Sequence, residues 1–150
     1  MGNRTFILAD GENLVLRYQA SLTADVQNRE GTVHLPDVLV WHPEITKCAK
    51  YAPMNIIRAS YYTTLVGDEP TIESTKKKIT DICFNFNIGR NECQESGRLC
   101  PHVFKKEKNT QKTKSVDINI TIDALRHTYN DSLDTLFLLS GDGDYIPLIQ

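Results

Sequence analysis

Aspartates lie directly after two apolar runs and at the start of a predicted helix in this 150-residue chain. Asp10 follows a short apolar run, Asp142 follows a second one, and Asp117 lies in the first turn of a predicted helix. Asp144 and Asn13 are close to them in sequence. Carboxylate oxygens are the ligands that Mg²⁺ and Mn²⁺ prefer, and clustered acids are destabilised by repulsion unless a cation is present. The pattern therefore indicates a site for a divalent cation.

Two glycines flank the last of these aspartates. Gly141 and Gly143 stand on either side of Asp142, directly after Ser140. We expect these glycines to allow backbone turns that a larger residue would resist, and to let a phosphate approach closely. A structural role for the acids stays open, because an Asp-Gly pair after a strand often forms only a turn. An aspartate in a first helical turn often only caps the helix.

Strands and helices alternate along the sequence and must position these side chains. Runs of strand-forming residues predict strands at 5–8, 55–65, 99–106 and 134–140. Helices are predicted at 12–22, 36–52, 70–89 and 115–130, with a loop or small hairpin at 24–36. Pro43 is expected to break or kink the second of these helices. The alternation is typical of a doubly wound α/β fold, with a mainly parallel sheet of about four to five strands flanked by helices. Ligands bind at the carboxyl ends of such strands, so Asp10 and Asp142 are expected to face one crevice if their strands are neighbours.

The composition is that of a globular protein with one domain. Apolar residues make up 40% of the chain and charged residues 24%, which predicts a single core. The net charge of −2 excludes a global basic field, so any contact with nucleic acid must be local. No apolar stretch approaches the roughly 20 residues of a membrane span, and no secretory signal is recognisable. The four cysteines are therefore expected to be reduced thiols in the cytoplasm.

A lysine-rich segment at 104–115 immediately precedes Asp117. Its lysines are Lys105, Lys106, Lys108, Lys112 and Lys114. Contacts from such a segment to phosphates would give binding that is independent of sequence and sensitive to salt. A solvated loop is the alternative interpretation. The three lysines at 76–78 are interpreted as the polar face of their predicted helix.

Three motifs resemble those of the NYN domain, in the LabA-like branch of the PIN-like ribonuclease superfamily. They are FILADGENL, KSVDINITIDAL and LFLLSGDGDYIPLI, and they occur in the same order and the same strand or helix contexts. The match runs across nearly the whole chain. The resemblance implies a PIN-like, Rossmannoid fold and a single domain at 1–150.

The resemblance also implies roles for individual residues. Asp10, Asp117 and Asp142 would be the metal-binding and catalytic acids. Asp144 would be a further metal ligand in or beside the site, and the pocket would be lined by Asn13, Ser140, Gly141 and Gly143. The implied cofactor is Mg²⁺ or Mn²⁺, and the implied reaction is hydrolysis of single-stranded RNA by a water that one or two ions activate. The RNA contacts are then expected to be Lys105, Lys106, Lys112 and Lys114.

Other functions stay open beside that of a ribonuclease. The same scaffold would also suit a catalytically weak module that binds RNA or a protein partner, or that forms homo-oligomers. A phosphatase is less favoured, because Asp10 is followed by Gly-Glu and no second aspartate stands two residues on. A calcium loop is excluded, since Pro147 and the end of the sequence leave no room for the roughly twelve residues that it needs. Family members usually continue with a helix and a strand, so we expect a domain that is truncated at Gln150 or one strand short.

Overall fold

A four-stranded parallel sheet forms the centre of the computed structural model, which describes residues 3–49, 54–88, 93–109 and 114–149. The strands are β1 (Asn3–Asp10), β2 (Val33–Leu35), β3 (Leu39–Trp41), β4 (Met54–Leu65), β5 (Cys83–Ile88), β6 (Cys93–Arg98), β7 (Cys100–Lys105) and β8 (Thr135–Leu139). The helices are α1 (Gly11–Thr23), α2 (Glu69–Thr80), α3 (Lys114–Tyr129) and α4 (Ile146–Ile149), with 3₁₀ segments at Pro43–Ala49 and Gly143–Tyr145.

The strands of the sheet follow the order β7-β4-β1-β8, and all neighbours are parallel. From β1 the chain moves outward to β4 and β7, and then returns to place β8 on the other side of β1. The winding therefore reverses between β1 and β8, which is where open α/β sheets bind their ligands. Ala9 lies beside Leu139, so the carboxyl ends of these two strands are level. The predicted doubly wound α/β fold is confirmed, with four strands in the sheet.

Each face of the sheet carries an apolar core, because successive side chains of a strand point to opposite faces. One core contains Ile7, Ala9, Tyr61, Trp41 and Ile79. The other contains Leu8, Tyr62, Val116, Ile120, Ala124 and Tyr145. In the second core, α3 contributes buried side chains from successive turns, which packs the helix against the sheet. Its first turn, with Asp117, then lies beside the end of β1.

Most of the strong sequence signals are confirmed. The predicted strands at 5–8, 55–65, 99–106 and 134–140 correspond to β1, β4, β7 and β8. The helices predicted at 12–22 and 115–130 correspond to α1 and α3. Pro101 lies in β7 at one edge of the sheet, as expected for a proline in a strand. None of the helices in the described parts of the chain has the length and apolar character needed to cross a bilayer.

The helix predicted at 36–52 is wrong. β3 pairs with β2 in an antiparallel hairpin that turns at Asp37, where φ is 61°. Leu39 and Trp41 of β3 are fully buried in the core, and this packing outweighs the helical spacing of the apolar residues. A 3₁₀ segment begins at Pro43. The last residues of the predicted helix, 50–52, lie outside the described residues.

The helix predicted at 70–89 is correct only in its first part. α2 ends at Thr80, and β5 then pairs with β6 in an antiparallel arrangement that was not predicted. Phe84 of β5 is buried, and its ring leaves no space for a side chain at Gly97 of β6, where a Cβ atom would lie 2.5 Å from the ring. Gly89, which was predicted to end the helix, lies outside the described residues.

Candidate metal centre

Three aspartates that are distant in sequence come together at the carboxyl edge of the sheet. Asp10 is the last residue of β1, Asp117 lies in the first turn of α3, and Asp142 follows β8. Each offers one carboxylate oxygen, and the three oxygens lie within 4.8 Å of one another. The structure thus brings the three predicted site residues to the point where the winding of the sheet reverses. Their chemical roles stay predictions.

The carboxylate of Asp10 is fully buried and is held through both oxygens. Its Oδ1 accepts a hydrogen bond from the backbone N–H of Asn13 at 3.0 Å, which makes Asp10 the N-cap of α1. Its Oδ2 accepts one from the Oγ hydroxyl of Ser140 at 3.1 Å. Burying a charged group is costly unless hydrogen bonds compensate. These two donors fix the orientation of the carboxylate and offset part of that cost.

Tyr145 is a site residue for which the sequence analysis predicted no role. Its hydroxyl lies 2.9 Å from Oδ1 of Asp117 and 3.3 Å from Oδ2 of Asp10, and the side chain is buried. Burial raises the pKa of the Tyr145 phenol well above its usual value, and the nearby carboxylates of Asp10 and Asp117 raise it further. The hydroxyl therefore keeps its proton and acts as a donor. The signals in the sequence are its place in the motif LFLLSGDGDYIPLI and its polar aromatic side chain one turn after Asp142.

Hydrogen bonds to side chains brace the loop that carries Asp142. The hydroxyl oxygen of Ser140 accepts a bond from the backbone N–H of Asp142 at 3.1 Å. Oδ1 of Asp142 accepts one from the backbone N–H of Asp144 at 3.0 Å, which caps the 3₁₀ turn that follows. Oδ1 of Asn13 accepts one from the backbone N–H of Gly141 at 2.9 Å. The predicted pocket residues Asn13 and Ser140 thus contact the loop directly.

The backbone of Gly141 and Gly143 does not need the conformational freedom that the sequence analysis proposed, while the close approach of a phosphate to them stays a prediction. Neither glycine has a positive φ, whereas Gly31 does, with φ of 88°. A Cβ atom at Gly141 would lie 2.6 Å from Nε of Arg17, and the guanidinium of Arg17 donates to the carbonyl of Gly141 at 3.1 Å. The lack of a side chain at Gly141 therefore makes room for the side chain of Arg17. At Gly143 the nearest atom to an added Cβ is 3.8 Å away, on Ile146.

Asp144 lies beside the three aspartates. Its side chain is exposed, and within the described residues the close group of carboxylate oxygens consists of Asp10, Asp117 and Asp142 alone. Its backbone N–H, rather than its carboxylate, makes the contact with Asp142 that the structure shows. A role for Asp144 as a metal ligand stays a prediction.

A groove of about 740 Å³ opens at the same edge of the sheet, over the ends of β4 and β7. Lys106 lines it together with Asn109, Thr71 and the apolar side chain of Val38. A smaller hollow of about 460 Å³ is lined by Lys105, Lys106 and Lys108. Lys114 is exposed at the start of α3. Lys112 lies outside the described residues.

Glu12 also reaches this groove and was not singled out from the sequence. It lies in the first turn of α1, is 1% exposed, and accepts a hydrogen bond from the hydroxyl of Thr64. A glutamate two residues after Asp10 is common in the first turn of a helix and gives no sign of burial in the sequence. Only the position of β4 beside β1 reveals that it is buried.

The chemistry of the donor set fits a divalent cation. All three ligands of the group Asp10, Asp117 and Asp142 are carboxylate oxygens, which suit Mg²⁺ or Mn²⁺ better than zinc. The three oxygens lie within 4.8 Å of one another, so one cation could be held by all three side chains.

Comparison with known proteins identifies one family. The model of the NYN domain matches residues 4–150, nearly the whole chain. Searches of curated proteins and of solved structures found no match.

Proposed function

We propose that this chain, which belongs to the NYN domain family, is a PIN-like, metal-dependent ribonuclease that hydrolyses RNA phosphodiester bonds. The observation that carries the proposal is the meeting of Asp10, Asp117 and Asp142 at the reversal point of the sheet. Membership of the LabA-like branch, which rests on the three sequence motifs, is part of the same proposal.

In this proposal the three aspartates hold Mg²⁺ or Mn²⁺. When bound, the cation supplies an activated water and stabilises the departing oxygen of the ester. Ser140 and Asn13 keep Asp10 and the loop after β8 in place through the bonds described above. Asp10 is buried, whereas Asp117 and Asp142 are half-buried, so the scissile phosphate must approach from the side of those two residues.

The groove at the same edge of the sheet as the cluster is the proposed path of single-stranded RNA. β7 is two strands away from β1, about 10 Å at the usual strand spacing. It also extends from His102, level with Asp10, to Lys105, so the ends of the two strands are roughly 14 Å apart. Lys106, directly after β7, would therefore contact a phosphate near the scissile one rather than the scissile phosphate itself. Leu16 and Val38 give the groove an apolar wall on which an unstacked base can lie. A duplex has no unstacked base to offer.

A catalytically weak module that binds RNA or a protein partner is the second candidate. The position of Lys106 in the groove favours RNA binding whether or not the acids catalyse cleavage. Cleavage of RNA separates the two candidates. A cytoplasmic location and a homo-oligomeric state remain predictions of the same proposal.

The decisive experiment measures cleavage of end-labelled single-stranded RNA by the purified protein. We expect cleavage with Mg²⁺ or Mn²⁺, none in EDTA, and recovery when the cation is restored. Asp142→Asn should lower cleavage to background, because it removes one ligand charge at nearly constant shape. Asp131→Asn serves as the control, since the Asp131 side chain is 93% exposed and the residue precedes β8 at the far end of the strand.

Several outcomes would change the proposal. Cleavage that persists in EDTA and in Asp142→Asn would exclude the cluster as the catalyst. RNA binding without cleavage under any cation would favour the second candidate. Asp144→Asn should match Asp142→Asn if Asp144 is a ligand, and should retain activity if it only lies beside the site.

A further inference from the structure

We propose that the hydroxyl of Tyr145 is a positioning group that holds the carboxylates of Asp10 and Asp117 at the separation suited to a divalent cation. This inference rests on the proposed function, because it assigns a role within the same metal site. It concerns a residue that touches the proposed ligands rather than the cation.

The geometry places one donor between two acceptors of like charge. The Tyr145 hydroxyl is 2.9 Å from Asp117 and 3.3 Å from Asp10, and each contact is to one carboxylate oxygen. Without a bridging donor, the two carboxylates would repel each other in a partly dry crevice. The shared hydroxyl opposes that separation and links the end of β1 to the first turn of α3.

The Tyr145 hydroxyl contacts the carboxylates from a side that leaves the cluster open to a cation. Tyr145 is 4% exposed and belongs to the core beneath α3, together with Val116 and Ile120. Asp117 and Asp142 keep part of their surface in solvent. The phenol therefore contacts the carboxylates from the protein side, and a cation would enter from the solvent side. A carboxylate oxygen has more than one lone pair, so it can accept the hydrogen bond and bind a cation together.

Replacing Tyr145 with phenylalanine isolates the hydroxyl, because the ring and its packing are retained. Tyr62 is a matched control. It is 1% exposed, it belongs to the same core, and its hydroxyl donates to Oδ2 of Asp123 at 2.6 Å. Tyr62→Phe therefore removes a hydrogen bond from a buried phenol to a carboxylate without touching the three aspartates.

The test is the dissociation constant for Mn²⁺, measured by titration followed by electron paramagnetic resonance, on protein first freed of metal with EDTA. Loss of a group that orients a metal ligand typically lowers metal affinity by about 10- to 100-fold. We expect a weakening in that range for Tyr145→Phe and an unchanged constant for Tyr62→Phe. Thermal melts of both variants establish that titration is done on folded protein.

The possible results are distinguishable. Wild-type affinity in Tyr145→Phe, or tighter binding, would overturn the inference and leave the metal site intact. Equal weakening in Tyr62→Phe would also overturn it, because the effect would then come from a general loosening of the core. If the wild-type protein does not bind Mn²⁺, the proposed metal-dependent function fails, and the inference fails with it.

Discussion

Asn13 and Gly141 join two chain segments that are remote in sequence, through a bond of 2.9 Å from the Gly141 backbone N–H to the Asn13 side-chain oxygen. Asn13 also donates its own backbone N–H to Asp10. One residue of α1 thus contacts both the buried acid of the cluster and the loop that carries Asp142. Asn13 therefore holds the loop that carries Asp142 beside Asp10 and the start of α1.

Asn13→Ala should weaken Mn²⁺ binding and lower stability, because the loop loses its link to α1. The expected loss of unfolding free energy is about 1 kcal/mol, the usual net value of one hydrogen bond. Asn28→Ala is the control, since Asn28 accepts a bond of 2.6 Å from Tyr18 on the surface, outside the cluster. Mn²⁺ titration and chemical unfolding measure the two effects. Equal Mn²⁺ affinity in both variants would mean that the Asn13 bond does not position Asp142.

Lys106→Ala should weaken RNA binding equally for all sequences. Each lost phosphate contact is expected to lower the slope of log affinity against log salt by about 0.7 for single strands. Lys78→Ala changes the net charge by the same amount, but Lys78 is exposed on α2 and does not line the groove. Fluorescence anisotropy over a range of salt concentrations gives both slopes. The groove is not the RNA path if the two variants lower the slope equally.

Gly11→Ala should destabilise the fold, whereas Gly143→Ala should not. A Cβ atom at Gly11 would lie 2.2 Å from the ring of Tyr61 and 2.6 Å from the carbonyl oxygen of Tyr62, and the latter is backbone that cannot rotate away. Overpacking of this kind costs typically about 1–3 kcal/mol. At Gly143 the nearest atom is 3.8 Å away. Thermal melts compare the variants, and a larger loss at Gly143 would contradict the contact analysis.

The fold could be predicted where the sequence contains a run of strand-forming residues. β1 and β8 contain continuous apolar runs, and β4 is rich in β-branched and aromatic residues. The parallel order follows from their alternation with helices. β3 and β5 were missed because they lie in segments that were predicted as helices, 36–52 and 70–89. β2 lies in the segment predicted as a loop or small hairpin, and no element was predicted over β6. Trp41 and Phe84 are buried by partners distant in sequence, and short apolar runs do not distinguish a strand from a helix.

In the candidate site, the residues that follow strands could also be predicted from the sequence. Asp10 and Asp142 follow strands, and strand ends converge at one edge of a parallel sheet, so their meeting follows from the topology. The bridging position of Tyr145 depends instead on how the turn after β8 packs under α3. That packing is not encoded in residue spacing. Glu12 was missed for the same reason, because its burial depends on the neighbouring strand β4.

The pair Arg4–Asp134 should make stability depend on pH in the acid range. The guanidinium of Arg4 contacts both oxygens of Asp134, at 2.9 and 3.1 Å, and its backbone N–H donates to the same carboxylate at 2.9 Å. These hydrogen bonds and the positive charge of Arg4 lower the pKa of Asp134 to about 2. An aspartate in an unfolded chain has a pKa of about 3.9. Between these two pH values the folded state therefore binds fewer protons than the unfolded state. The free energy of unfolding decreases as the pH is lowered through this interval.

The contribution of this pair should be fully present above about pH 4 and should disappear as the pH falls through about 2. Asp134→Asn is expected to be less stable than the wild type near neutral pH, with a difference that shrinks over this interval. The gain is modest, because both side chains are more than two-fifths exposed. Asp131→Asn is the control, since its carboxylate lies 3.6 Å from Arg4 and is almost fully exposed. Urea unfolding of the three proteins across this pH range measures the differences. If the difference between wild type and Asp134→Asn stays constant down to the lowest pH, then the carboxylate charge of Asp134 does not stabilise the junction of β1 and β8.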